Sequence, residues 1–353
     1  MKHYYYLLSF LLLCACSVTP AEQSDKPPKI DKEQVTIQTF PMECNIRAII
    51  AADENTLWFG GSNGQFGYTE DGGEHWHIDS IRHTDQPDLE FRGIAKTPNA
   101  VFLLAIGSPA LLFKTEDQGE NWSVVYREDH PDAFYDAIAF WNDKAGIAMG
   151  DPTEDCLSII LTTDGGDSWT KIPCEDLPPA ADKEAAFAAS NSNIALVGNH
   201  AWIVSGGGSA RVFHSPDRGA SWEVFDTPIV QGGKMTGIFT ADFYDAKRGI
   251  IFGGDWEDQS QNSKNKALTA DGGKTWTLIA DGQEPGYRSS VQYLPDSDAQ
   301  GILAAGIPGI SYSADGGQRW AALSDSSFYT IRVCDSGKAA WLGGARKIGR
   351  MSW

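Results

Sequence analysis

The sequence predicts an all-β chain folded as one seven-bladed β-propeller, with four antiparallel strands per blade. Two observations carry that reading. An eight-residue pattern returns six times at blade-sized intervals, and the last unit of the chain lacks a strand that the first residues of the folded part can supply.

The pattern is S/T-x-D-x-G-x-x-W. It reads Thr69-Glu70-Asp71-Gly72-Gly73-Glu74-His75-Trp76 and recurs at Thr115 to Trp122, Thr162 to Trp169, Ser215 to Trp222, Thr269 to Trp276 and Ser313 to Trp320. Its aspartates, Asp71, Asp117, Asp164, Asp217, Asp271 and Asp315, stand 46, 47, 53, 54 and 44 residues apart. A carboxylate can accept backbone N–H groups across a tight turn, and the glycine two residues on supplies a positive φ. The tryptophan then covers the turn from the next strand, so each motif joins the third and fourth strands of a blade. Upstream lie two further strand-like runs, such as residues 47–53 and Leu57-Trp-Phe-Gly-Gly61 in the first unit.

After Trp320 three more runs follow: Thr330 to Cys334, Ala340 to Gly344 and Lys347 to Trp353. Trp341-Leu342-Gly343-Gly344 repeats Trp58-Phe59-Gly60-Gly61 of the first unit. These form a seventh blade with an open edge, and the segment from Gln34 to Phe40 is the strand expected to close it.

At the N-terminus, Lys2 and His3 precede an apolar run from Tyr4 to Leu13, too short to span a bilayer and suited to a signal-peptide core. It ends in Leu13-Cys14-Ala15-Cys16, which resembles the bacterial lipobox. That resemblance implies a leader over residues 1–15 and a lipidated Cys16; an ordinary signal peptide cut nearby is the alternative. Residues 16–33, rich in Ser, Pro, Lys, Glu and Asp, are expected to form a flexible tether, and residues 34–353 the propeller. Ser17 after Cys16 resembles a signal for the outer membrane, so a lipid-anchored place in the cell envelope, facing the periplasm or the surface, is expected.

Formal net charge is −19, and loss of residues 1–15 removes the charge of Lys2 and leaves −20. Such a surface repels nucleic acid and anionic lipid, so neither is an expected partner and the membrane is met through the anchor alone. Cys156 and Cys174 lie nine residues either side of Gly165, in a hairpin turn, which predicts a disulfide worth about 3 kcal/mol. A buried free pair is the alternative. No CxxC or metal spacing occurs, and neither a metal nor a cofactor is expected.

The repeats resemble the BNR/Asp-box superfamily. Single-domain size, seven blades and closely spaced motifs sit best with the photosystem II assembly and stability factor family and its non-photosynthetic bacterial relatives. Sialidase and sortilin propellers are more distant. The resemblance implies that the six aspartates are structural and peripheral.

On a propeller, function usually sits at the mouth of the central channel. Aligning the innermost strands by apolar alternation gives Arg47-Ala-Ile, Arg92-Gly-Ile, Asp136-Ala-Ile, Glu184-Ala-Ala, Thr236-Gly-Ile, Arg288-Ser-Ser and Arg332-Val-Cys. Four of the twelve arginines fall in this register, facing Asp136 and Glu184 across the ring. Two readings stand: an anion-binding funnel of guanidinium forks, or a self-neutralising ring of salt bridges that closes the channel. Rim candidates are Asp151 and Glu154, His200 and Trp202, and Asp255, Trp256 and Glu257. The polar insert from Asp255 to Lys266 is expected to be a mobile rim loop.

Three functions follow. The first is a non-catalytic binding or assembly module, expected to be a monomer, that engages a protein partner or an anionic glycan or small ligand at the arginine-lined mouth. The second is a glycoside hydrolase with Asp136 and Glu184 as its acid–base pair. Against it, the Phe/Tyr-Arg-Ile-Pro motif of sialidases is absent. The third, an oxidoreductase, finds no G-x-G-x-x-G, because Gly206-Gly207-Gly208 sits in a β-rich unit and reads as a turn.

Overall fold

The computed structural model describes Met1, His3 and residues 30–353. The leader, Cys16 and most of the tether lie outside the described residues. The described chain forms the seven-bladed propeller that its repeats predict, with four antiparallel strands in each blade. Among the described residues no helix is long and apolar enough to cross a membrane.

Blade 1 comprises Ile46–Ala51, Leu57–Gly61, Gln65–Thr69 and His77–Ser80. Blade 2 comprises Phe91–Lys96, Val101–Ala105, Ala110–Thr115 and Ser123–Glu128, and blade 3 Tyr135–Phe140, Gly146–Gly150, Ser158–Thr162 and Thr170–Lys171. Blade 7 has Thr330–Val333, Ala339–Gly344 and Lys347–Ser352, and its outermost strand is Thr36–Pro41. That strand pairs antiparallel with Lys347–Ser352, Thr36 opposite Ser352 and Pro41 opposite Lys347, so the two ends of the propeller share one sheet. Packing begins earlier still, since Ile30 is buried in the same apolar cluster as Leu303 and Phe328.

The repeated motif works as a local lock. In blade 1 the Thr69 hydroxyl donates to Asp71 Oδ1 at 2.9 Å and accepts the Gly73 N–H at 3.0 Å. Asp71 Oδ1 also accepts the His75 N–H at 2.9 Å, and the Trp76 indole N–H donates to the Gly73 carbonyl at 3.1 Å. The His75 N–H, the His75 ring and the Thr69 hydroxyl hold the Asp71 carboxyl down to about 2. Gly73 has φ +94°, and a Cβ there would meet the Phe40 ring of the closing strand at 2.4 Å. All six motif aspartates sit in the turns that lead to the outermost strands.

Between blades the core is apolar and aromatic. Trp202 stacks on Phe243 at 3.7 Å across the blade 4–5 interface, and Phe102 stacks on Phe140 at 4.7 Å between blades 2 and 3. Cys156 and Cys174 form a disulfide with 5.5 Å between their Cα atoms.

Blade 4 departs from the repeat. Its innermost strand is Ile194–Val197, about ten residues beyond the Glu184 position that the sequence alignment chose. Glu184–Ala185 instead pairs with Gly206–Gly207, which pairs onto the inner strand of blade 5, Thr236–Phe243. The residues between, 186–193, run through the central channel.

Candidate functional site

Residues 186–193 form a plug that is hydrogen-bonded to each of the other six blades. Arg47 of blade 1 donates to the Ala189 carbonyl and Arg92 of blade 2 to the Ala188 carbonyl, at 3.5 and 3.3 Å. Asp151 of blade 3 accepts the Ala186 N–H at 2.7 Å, and Asn191 Oδ1 accepts the Ile138 N–H at 3.0 Å. Ser192 Oγ donates to Thr240 of blade 5 at 2.8 Å, and Ser190 Oγ to the Ser289 carbonyl of blade 6 at 2.5 Å. Arg332 of blade 7 donates to the Ser190 and Asn191 carbonyls, both at 2.9 Å. A run of alanines and serines suits this place, because bulky side chains would not pass between seven inner strands.

The plug leaves a cavity at each mouth. The smaller, about 250 Å³, is bordered by Ile49, Lys96, Asn191, Asp242, Gln292 and Arg332. The larger, about 790 Å³, opens on the other side. Four cations border it, Arg47, Arg92, Lys183 and Lys234, against a single acid, Asp151. Its apolar wall is aromatic: Phe187 stacks on Phe239 at 3.9 Å, and Phe239 meets Tyr287 edge-on at 4.8 Å. Trp256, 41% exposed, stands at the rim.

The two arginines reach this mouth by the same device. Arg47 bulges between the pairs Ile46–Gly61 and Ala48–Gly60, and Arg92 between Phe91–Ala105 and Gly93–Leu104. A bulge re-aims the extra side chain away from the sheet face. Arg47 lies over the Tyr329 ring at 3.8 Å. Burial, and the repulsion of Arg92, lower its pKa. Arg92 also carries a salt bridge to Glu90 at 2.8 Å.

The expected ring of four arginines is not formed. Arg332 lies deeper, on the plug and the smaller cavity, where burial pushes its pKa down to about 10. Arg288 precedes the inner strand Ser290–Tyr293 of blade 6 and turns into the blade, donating to Ser311 Oγ at 2.8 Å. The Thr236 position of blade 5 is likewise taken by Phe239, which occupies the bulge between Ile238 and Thr240.

Asp136 and Glu184 do not face each other across a pore. Glu184 is buried in a bidentate pair with Arg211 and accepts the Ser205 hydroxyl and the Ala181 N–H. Asp136 occupies the blade 3 bulge, fully buried, and neither carboxyl oxygen has a hydrogen-bond partner. Burial and the Asp151 charge beside it raise its pKa far above the carboxylate range, with Arg92 pulling the other way. Burial lifts Asp151 to about 6, and the Ala186 N–H opposes it.

Of the rim candidates, Asp151 and Trp256 border the larger cavity. Asp255 turns to the Glu257 N–H at 2.8 Å, in its own turn. Trp202 is fully buried and donates to the Gly272 carbonyl at 2.8 Å, with His200 stacked on it at 5.4 Å, so both belong to the blade 4–5 packing. The Asp255 to Lys266 insert is pinned at several points, among them the Tyr287 N–H on the Gln259 carbonyl and Lys264 N–H on Asp281. Sequence reasoning missed Lys183, Lys234, Phe187 and Phe239. The poor strand pattern of Ala185 to Ser190, with its run of small residues, was the one local signal that blade 4 does something else.

These features define a seven-bladed propeller whose channel is blocked from within and whose wider mouth is cationic and aromatic. Comparison with known proteins gives the relationship. The family described as photosynthesis system II assembly factor YCF48 matches residues 28–133. The photosystem II assembly lipoprotein Ycf48 of Synechococcus sp. (strain CC9902) is 26% identical over 188 residues, 53% of this chain and 52% of that one. The corresponding protein of Synechococcus sp. (strain JA-3-3Ab) is 25% identical over 191 residues, 52% and 49% of the two chains. The chain thus spans about half the length of the curated relatives it matches. Among solved structures, YCF48 bound to D1 peptide superimposes over 93% of this chain and all of that one, with a TM-score of 0.65 and 17% identity. YCF48 from Cyanidioschyzon merolae gives 0.60 and 15% over 90% of this chain and 98% of that one. The chain is a seven-bladed propeller that resembles the photosystem II assembly factor family.

Proposed function

We propose that the protein is a non-catalytic binding or assembly propeller that holds an acidic segment of a protein partner in the larger mouth cavity. The observation that carries this reading is the cavity's charge: four cations against one acid, in a chain of net charge −19. Guanidinium forks suit carboxylates, and the low exposure of Arg47 and Arg92 strengthens each charge-assisted bond. The aromatic wall of Phe187, Phe239 and Tyr287 would bury an apolar side chain next to the anion. The solved relative bound to a D1 peptide supports a peptide as occupant.

The same reading places the protein at the cell envelope, anchored through a lipid on Cys16, with residues 1–15 as leader and 16–33 as tether ahead of the propeller. A relative named as a lipoprotein supports the anchor. Mass spectrometry of the membrane-extracted protein, with Cys16→Ser as control, tests it.

The cavity is tested by an array of short peptides, matched in apolar content and differing in charge. Acidic peptides should bind, and binding should fall at least tenfold in an Arg47→Ala, Arg92→Ala double variant and weaken with salt. Equal binding of acidic and basic peptides, or of wild type and variant, would overturn the reading.

A further inference from the structure

Two carboxyl groups, Asp151 at the larger cavity and Asp136 buried beside it, have no cation bonded to them. Asp136 is fully buried with both oxygens unpartnered, and Asp151 borders the cavity with the Ala186 N–H as its hydrogen bond. Among the described residues neither forms an ion pair, although Arg92 is close enough to Asp136 to act on it electrostatically. Arg92 instead bonds to Glu90 and the plug, and Arg47 to the plug. An isolated buried carboxylate is too costly to stay charged, so Asp136 keeps its proton at neutral pH. Asp151 is the acid of the pair that still ionises there.

We infer that the cavity takes up a proton as it binds an anion, so that the partner is held more tightly in mildly acidic surroundings, with Asp151 as the accepting group. The inference rests on the reading of this cavity as an anionic-partner site. Its sign follows from the charges. Deprotonated, Asp151 places the one negative charge among the groups that border the cavity, and an anion entering on Arg47 and Arg92 is repelled by it. Protonated, it leaves four cations unopposed. By reciprocity the bound anion raises the proton affinity of Asp151, and a rise of one unit corresponds to about a tenfold change in affinity across the titration.

Charged and titratable groups face Asp151 from several elements. Blade 2 offers Arg92 with Glu90 on it, and blade 1 offers Arg47 beyond. Lys183 stands at the entry to the plug and Lys234 ahead of the inner strand of blade 5. Tyr287, from the segment before blade 6, is pushed up by burial and stays neutral. Guanidinium groups are not deprotonated in the range in which Asp151 titrates, so Asp151 sets the pH response.

The test uses naphthalene-2-sulfonate, an aromatic anion whose charge stays fixed from mildly acidic to mildly alkaline pH. It is titrated calorimetrically into the full protein at constant ionic strength. The wild type should bind about tenfold more tightly near pH 5 than near pH 8. Asp151→Asn should bind at both pH values as tightly as wild type does at the lower one, and Arg47→Ala, Arg92→Ala should lose binding at both. A flat wild-type profile, with binding still lost in the arginine variant, overturns the proton inference and leaves the site reading standing. Binding that is equal in the arginine variant, or absent from the wild type, overturns both. Should Asp151→Asn fail to fold, repeating the wild-type titration between the two extremes in buffers of different ionisation enthalpy measures proton uptake directly. Uptake on binding supports the inference, and none refutes it.

Discussion

Replacing Arg332 by alanine should loosen the plug without touching the larger cavity. Its guanidinium donates to the Ser190 and Asn191 carbonyls at 2.9 Å each and to the Ile331 carbonyl at 2.8 Å. After the substitution the Ser190 carbonyl keeps the Thr330 hydroxyl at 3.0 Å, whereas the Asn191 carbonyl loses its guanidinium partner. A buried carbonyl left unpaired costs about 1–3 kcal/mol, and loss of the other charge-assisted bond adds to that. Part is returned, because the buried guanidinium is itself disfavoured, as its lowered pKa of about 10 shows. The net loss should be about 2 kcal/mol in urea unfolding. The local signature is sharper. The Ile138 amide donates to the Asn191 side chain, so its hydrogen exchange should quicken more than that of strand amides in blades 1 and 2. A stability change below about 0.5 kcal/mol with unchanged exchange at Ile138 would show that residues 186–193 are not held as described.

Three further outcomes are expected. Ser215→Ala removes the hydroxyl that donates to Asp217 at 2.9 Å and accepts the Gly219 N–H at 2.7 Å; leaving that buried N–H unpaired should cost about 1–3 kcal/mol, read by urea unfolding. Trp202→Ala should cost about 3–5 kcal/mol in the same assay yet leave acidic-peptide affinity unchanged, because Trp202 packs between blades rather than at the mouth. Asp151 also gives the fold a pH dependence. Its folded pKa of about 6 lies above the ordinary 3.8, so its contribution is fully present below the unfolded value and is lost as pH rises through about 6. Thermal unfolding of wild type should therefore weaken from pH 5 to pH 8 relative to Asp151→Asn, and parallel curves would contradict the assignment.

Much of the fold was legible because its signals are local. The lock of Thr69, Asp71, Gly73 and Trp76 is complete within eight residues. Its hydroxyl–carboxylate and glycine N–H bonds recur in every blade that carries it, while the indole bond is missing only at Trp122 of blade 2. The open edge of blade 7 follows from counting strands. The site was legible only where backbone register could be read from alternation. Arg47, Arg92 and Asp136 fall at matching positions of their strands because each sits in an equivalent bulge. Alternation does not reveal a bulge, and a slip of one residue sends a side chain to the opposite face. Arg288 was misplaced for that reason, and Phe239 was overlooked in favour of Thr236. The plug was not legible at all as a channel element. Its hydrogen bonds to the other blades reach residues 35 to 142 positions away in sequence, and nothing in Ala188, Ala189 or Ser190 announces which arginine will find their carbonyls.

A charge reversal at the mouth tests the central claim most directly. Arg92→Glu with Lys183→Glu turns a cavity of four cations and one acid into one of two cations and three acids, while the aromatic wall of Phe187, Phe239 and Tyr287 stays in place. With both proteins folded by circular dichroism, the account predicts that wild type prefers acidic over basic peptides of equal apolar content and that the double variant inverts the preference. An unchanged preference for acidic peptides in the variant would contradict the assignment of this cavity as the place where the partner is held.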